Sequence, residues 1–228
     1  MTNPIEKSIT SSNYTLDNIV TVISLTTTEK NTVNNILNDL QTDPIGKGYT
    51  SVFNKIATKK ISKISRDGTR NVPAYYVPST NAIVLSKTTT INQYSLQEEF
   101  IHAAQDRTYS GGINQYASTT GTPNIEFEAK MIQDLINTVS EVPYGYMGVG
   151  PTHDDDYIRW ILQLTEDGNL NLKFPSLTDV MNVKEKNSSY GYYDFMTCFK
   201  AKAESYNYAV IKSLKPLFLD YVSKNCNF

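Results

Sequence analysis

Residues 95–106, SLQEEFIHAAQD, constrain this chain more than any other stretch. Apolar residues at helical spacing predict a helix, with Leu96, Phe100 and Ala103 on one face. At 100° per residue, Glu98, Glu99, His102, Gln105 and Asp106 gather on an adjoining polar stripe. Charge of this density is buried only where a cation or a set of hydrogen bonds answers it. Glu98 and His102, four residues apart, are placed to reach one point in space. The fold must bring a partner to that point.

The segment NIEFEAK, residues 124–130, offers carboxylates for the purpose. On a helix from about residue 124 to 140, Ile125, Ile132, Leu135, Ile136 and Val139 define an inward face. Glu128 points toward that face and Glu126 away from it. A carboxylate at the edge of an apolar face needs a partner, so the wheel favours Glu128 as the partner of His102.

EEFIHAAQ, with IVLS before it and NIEFEAK after it, resembles the HExxH helix of zincin metallopeptidases and its surroundings. The resemblance spans residues 82–139. In zincins whose third ligand is glutamate, the resemblance implies zinc held by both histidines and by a later glutamate, often followed by alanine. The glutamate inside the motif is then the general base. Carried over position by position, His102 is the second histidine, Glu99 the base, and Glu128, followed by Ala129, the later ligand. The place of the first histidine holds Glu98.

Two readings of Glu98 follow. As a ligand, it completes a Glu98, His102, Glu128 set for zinc, or for the harder manganese or iron, because two anionic ligands make bound water less acidic. As a cap, it belongs to SLQE, an S-x-x-E capping box in which Glu98 folds back onto the Ser95 amide, and no metal is then expected. The first reading predicts a metal-dependent hydrolase of peptide bonds. The second predicts a zincin-like frame serving as a binding or structural module without catalysis. Adjacent carboxylates on one helix do not flank a glycosidic bond, which disfavours a carbohydrate hydrolase.

The hydrolase reading assigns further parts. The strand over residues 82–86 would hold an extended peptide along its edge. Tyr109, Tyr116 or a later tyrosine would donate to the developing oxyanion. The loop SGGINQYASTTGTP, residues 110–123, is either a lid or an ordinary connection.

The rest of the chain reads as support. LDNIVTVISL, residues 16–25, is a strand or a short helix; Thr28 is a plausible N-cap for a helix over residues 29–41, stopped by Asp43 and Pro44. A second helix is expected over residues 48–60. KISKIS, VPAYYVP and NAIVLSK, parted by turn residues, predict a small sheet. Residues 152–164 and 193–214 carry apolar positions at helical spacing, LFLDYV after Pro216 reads as core, and EDGN at 166–169 as a turn. His153 with Asp154 to Asp156 reads as an acidic helix start, or as a second metal cluster. Together these predict an α+β fold, predominantly helical with a small sheet, in a single domain over residues 1–228, with residues 152–228 as helical support.

Composition excludes several classes. A formal charge of -2 with interspersed signs argues against a nucleic-acid surface, and the basic stretch TKKISKISR is short. Two cysteines, Cys198 and Cys226, are too few for a disulfide scaffold, though one bridge between them is conceivable. No apolar run is long enough for a membrane span, and MTNPIEKS lacks the apolar core of a signal peptide. The 16 tyrosines, with much Asn, Ser and Thr, would suit a secreted or surface protein whose leader has been removed.

Overall fold

A computed structural model describes residues 13–42, 45–141, 146–166 and 172–226. The polar first dozen residues, the expected stop at Asp43 and Pro44, and all of the expected turn at 166–169 except Glu166 lie outside the described residues. The architecture is α+β, mostly helical with one small mixed sheet. LDNIVTVISL resolves into both of its alternatives, a single turn α1 (Leu16–Ile19) running into strand β1 (Val20–Ser24). Helix α2 (Thr27–Asp39) has its cap two residues before the expected one. Thr26, not Thr28, accepts from the Glu29 amide while the Glu29 side chain accepts from the Thr26 amide, closing a capping box. Helix α3 (Gly46–Ala57) buries Tyr49, Val52, Phe53 and Ile56.

The sheet contains β1, β2 (Ile61–Gly68), β3 (Ala74–Val77) and β4 (Ala82–Ser86) in the order β1-β2-β4-β3. β1 and β4 both run parallel to β2, while β3 runs antiparallel to β4, with Tyr76 opposite Ile83. β4 is therefore an interior strand. The expected substrate edge at residues 82–86 is already paired on both sides, and β3 is the edge instead. A tight return through Pro78–Thr80, with Asn81 at φ 49°, brings β3 back along β4 and produces this order.

Helix α4 (Gln93–Asp106) follows the sheet, and α5 (Thr122–Val139) crosses it in the antiparallel sense, as the pairs Gln97–Gln133, Glu98–Lys130 and Gln105–Ile125 require. α5 is the central element, buried along nearly its whole length and touching α4 together with three of the four helices described next. These four are α6 (Asp154–Thr165), α7 (Leu177–Asn182), α8 (Tyr192–Lys200) and α9 (Leu217–Asn225). Aromatic side chains fill the space between α5, α6 and α8: Phe127, Tyr157, Trp160, Tyr192, Phe195 and Phe199 are all buried. The helix expected to run on to residue 214 stops at Lys200, and residues 201–214 form turns, including one at Glu204–Tyr206. The core is continuous from Leu16 to Val222. No helix among the described residues is long and apolar enough to cross a membrane.

Candidate functional site

Whether Glu98 caps its helix depends on where α4 begins. The cap is Asn92, whose Oδ1 accepts from the Ser95 amide at 3.0 Å. Ser95 is thus the third helical residue and Glu98 lies in the second turn, beyond reach of the N-cap amide. The SLQE box does not form, because the extended residues leading to Asn92 supply a better cap upstream. Glu98 is free to face across to α5.

There it meets a matching spacing. Glu98 and His102 stand one turn apart on α4, Glu126 and Lys130 one turn apart on α5. Antiparallel crossing sets Glu98 against Lys130, with Nζ 2.6 Å from Oε1, and His102 against Glu126, with Nε2 3.5 Å from Oε2. His102 Nε2 is also 3.8 Å from Glu98 Oε1. The ligand atoms of Glu98, His102 and Glu126 lie within 4.8 Å of one another, and they are the one such grouping among the described residues.

Glu126 rather than Glu128 is therefore the carboxylate beside His102. Glu128 is fully buried, as its place on the wheel requires, but inward leads to α9. Its Oε1 accepts from the amides of Phe218 (2.8 Å) and Leu219 (2.9 Å), and its Oε2 from Tyr109 Oη and Gln105 Nε2, both at 2.7 Å. An acidic side chain on the first turn of α9 satisfies amides that the helix itself cannot. Burial pushes the Glu128 carboxyl up to about 7 against the pull of these donors.

Glu128 still acts on His102 through Gln105. The Gln105 amide donates to the Ile125 carbonyl at 3.0 Å and to Glu128, both of which only accept. Its Oε1 is thereby turned to His102 Nδ1, 2.8 Å away, so Nδ1 carries a proton. Nε2 then points between two carboxylates, and a bare lone pair there would meet only negative charge. The position calls for a cation, either a proton on Nε2 or a metal ion. Burial alone would lower the pKa of His102, but Glu126, Glu98 and Glu99 outweigh it and raise it well above the usual imidazole range. For Glu98, burial opposes ionisation, yet Lys130 and His102 hold it down at about 2.

Glu99 accepts a 2.5 Å hydrogen bond on Oε2 from the Tyr76 amide of edge strand β3. Burial, reinforced by Glu98 and Glu126, pushes this carboxyl up to about 8 although His102 and the Tyr76 amide pull it back. A carboxyl poised there can hold or release a proton near neutral pH.

Two hollows, of about 390 and 350 Å³, meet at this group, and Arg70, Tyr76, His102, Glu126 and Tyr206 line both. β3 forms one wall of the second. Of the tyrosines considered from sequence, Tyr109 is committed to Glu128, and Tyr116 lines only the first hollow. Tyr206 is the one that faces the group, stacked on Phe199 at 4.8 Å between ring centroids. It arrives from the turn region after α8, inside the stretch whose spacing predicted helical support, so no sequence signal marked it as lining the cleft. The loop at 110–123 lines the first hollow through Ile113 and Tyr116 and is tied down, Asp106 Oδ1 accepting from the Ile113 amide and Ala209 O from that of Gly121.

The other sequence candidates have structural partners. Asp154 Oδ1 accepts from the amides of Val149 and Gly150, and Asp156 pairs with Arg159, as an acidic helix start does. Cys198 and Cys226 are separate free thiols. No family description, no curated protein and no solved structure matches this chain.

Proposed function

We propose that this chain is a metal-dependent hydrolase of peptide bonds, a divergent zincin-like enzyme whose ligands are Glu98, His102 and Glu126. The observation that carries the reading is the forced orientation of His102, which turns Nε2 into a space between two carboxylates at 3.5 and 3.8 Å. Bonds of about 2.1 Å to a tetrahedral ion separate ligand atoms by about 3.4 Å, so a donor set already within 4.8 Å closes on a divalent cation by a shift of about an ångström. Zinc, manganese or iron held there would supply a Lewis acid able to polarise a carbonyl oxygen.

The chain's own residues account for the remaining roles. Glu99, with Oε2 held by the Tyr76 amide, keeps Oε1 to take a proton from water and return it to the leaving amine. β3 offers its outer edge to an extended peptide, although the Tyr76 amide on that edge is taken by Glu99. Tyr206 is placed to donate to charge developing on the carbonyl oxygen.

A second reading has its own support. With His102 protonated, Glu98 with Lys130 and Glu126 with His102 form two ion pairs and the group is neutral without a metal. The protein would then be a binding or structural module on the same frame. Elemental analysis of protein purified without chelator separates the two. About one zinc, manganese or iron per chain, lost in His102→Ala and in Glu126→Ala, supports the hydrolase and justifies an assay in which Glu99→Gln abolishes turnover. A metal-free parent that takes up none of the three when offered them overturns it.

A further inference from the structure

Among the described residues, the one charged partner of Glu98 outside the ligand set is Lys130, and its placement is costly. It is 8 % exposed, and a buried ammonium is tolerated only when paired. Its Nζ bonds to Glu98 Oε1 at 2.6 Å, one turn along α5 from Glu126. With a neutral imidazole, two carboxylates give the ligand set two negative charges, where a set of two histidines and one glutamate carries one. Adding the lysine returns the sum to one.

We infer that Lys130 stands in electrostatically for the imidazole that position 98 lacks: the Glu98–Lys130 pair presents the metal position with an oxygen donor of almost no net charge. The inference rests on the metal-centre reading above. It explains how a glutamate can occupy this position without quenching the Lewis acidity of the ion, since the second anionic ligand is neutralised by an ammonium bonded to the same Oε1 that lies 3.8 Å from His102 Nε2. A lysine that merely orients Glu98 would behave differently, because removing it would loosen the ligand and weaken metal binding.

Calorimetric titration of chelator-stripped, full-length protein with manganese and zinc tests the point on four proteins: parent, Lys130→Met, Glu98→His, and Glu98→His with Lys130→Met. Folding is checked by circular dichroism. Removing the positive charge should tighten manganese binding in Lys130→Met at least about tenfold, the sign and scale expected of a unit charge a few ångströms from a dication. Glu98→His alone should bind zinc no better than the parent, because the ammonium then repels the ion without a carboxylate to offset it. Adding Lys130→Met to Glu98→His should gain at least about tenfold in zinc affinity. Equal or weaker manganese binding by folded Lys130→Met overturns the inference, as does a Glu98→His variant that binds zinc as tightly as the double variant. Should Lys130→Met fail to fold with Glu98 left unpaired, the comparison of the two Glu98→His proteins decides alone, since neither strands a buried carboxylate at position 98 and Glu126 remains as the counter-charge of Lys130 in the single variant. Failure of all four proteins to bind either ion overturns the metal-centre reading itself, an outcome distinct from a parent that binds metal and does not respond to Lys130.

Discussion

Glu126 and Glu128 stand two positions apart on one helix and face different surroundings. The first borders the cleft with a quarter of its side chain exposed, and the second is enclosed by four donors. Glu128→Ala would strand the amides of Phe218 and Leu219, the Gln105 amide and the Tyr109 hydroxyl, and is expected to cost about 3–5 kcal/mol. Glu126→Ala removes one partly exposed pair and should change stability by about 1 kcal/mol or less. Urea unfolding in the presence of chelator measures both, and comparable losses would contradict the division of roles. The helical wheel was right that Glu128 points inward. It could not say what lies there, because the answer comes from residues 218 and 219, far along the chain, and the place beside His102 belongs to the residue the wheel placed outside.

At the level of elements, α4 and the three segments of residues 60–87 were legible because each is set by local spacing and turn residues. The position of β4 inside the sheet was not, since strand order is decided by pairing between distant segments. The close approach of the first turn of α3 to Ile136 of α5 was equally hidden. Gly48 permits it: a Cβ there would lie 2.7 Å from two side-chain carbons of Ile136, itself fully buried. Alanine in a helix interior is ordinarily favoured over glycine by about 1 kcal/mol. Overpacking of about 1–3 kcal/mol should outweigh that gain, so Gly48→Ala is expected to lower the denaturation midpoint. A higher midpoint would mean that the two helices can separate without loss.

Across the whole molecule, α5 carries several ionisable groups through the interior, and one of them sets a pH dependence away from the cleft. Asp134 accepts from the Met147 amide at 2.8 Å and from Tyr157 Oη at 2.9 Å, and burial raises its carboxyl from 3.8 to about 7. The folded form thus keeps a proton that the unfolded chain has already released. The stability this confers is complete below about pH 4 and is lost as pH rises through 7, a change on the order of 4 kcal/mol. Asp134→Asn can keep both contacts, its amide donating to a reoriented Tyr157 hydroxyl, and should flatten that part of the profile in thermal melts between pH 4 and 8. An unchanged slope would place the proton elsewhere. The bond from Glu128 to the first turn of α9 has a different kind of consequence, one of sequence in time. His102 is oriented by Gln105, Gln105 by Glu128, and Glu128 by amides that the ribosome delivers some 90 residues later. During synthesis the cleft therefore exists first as loose side chains, and it acquires its final arrangement only after residue 219 has emerged, when nearly all of the surrounding core is already available to close around it.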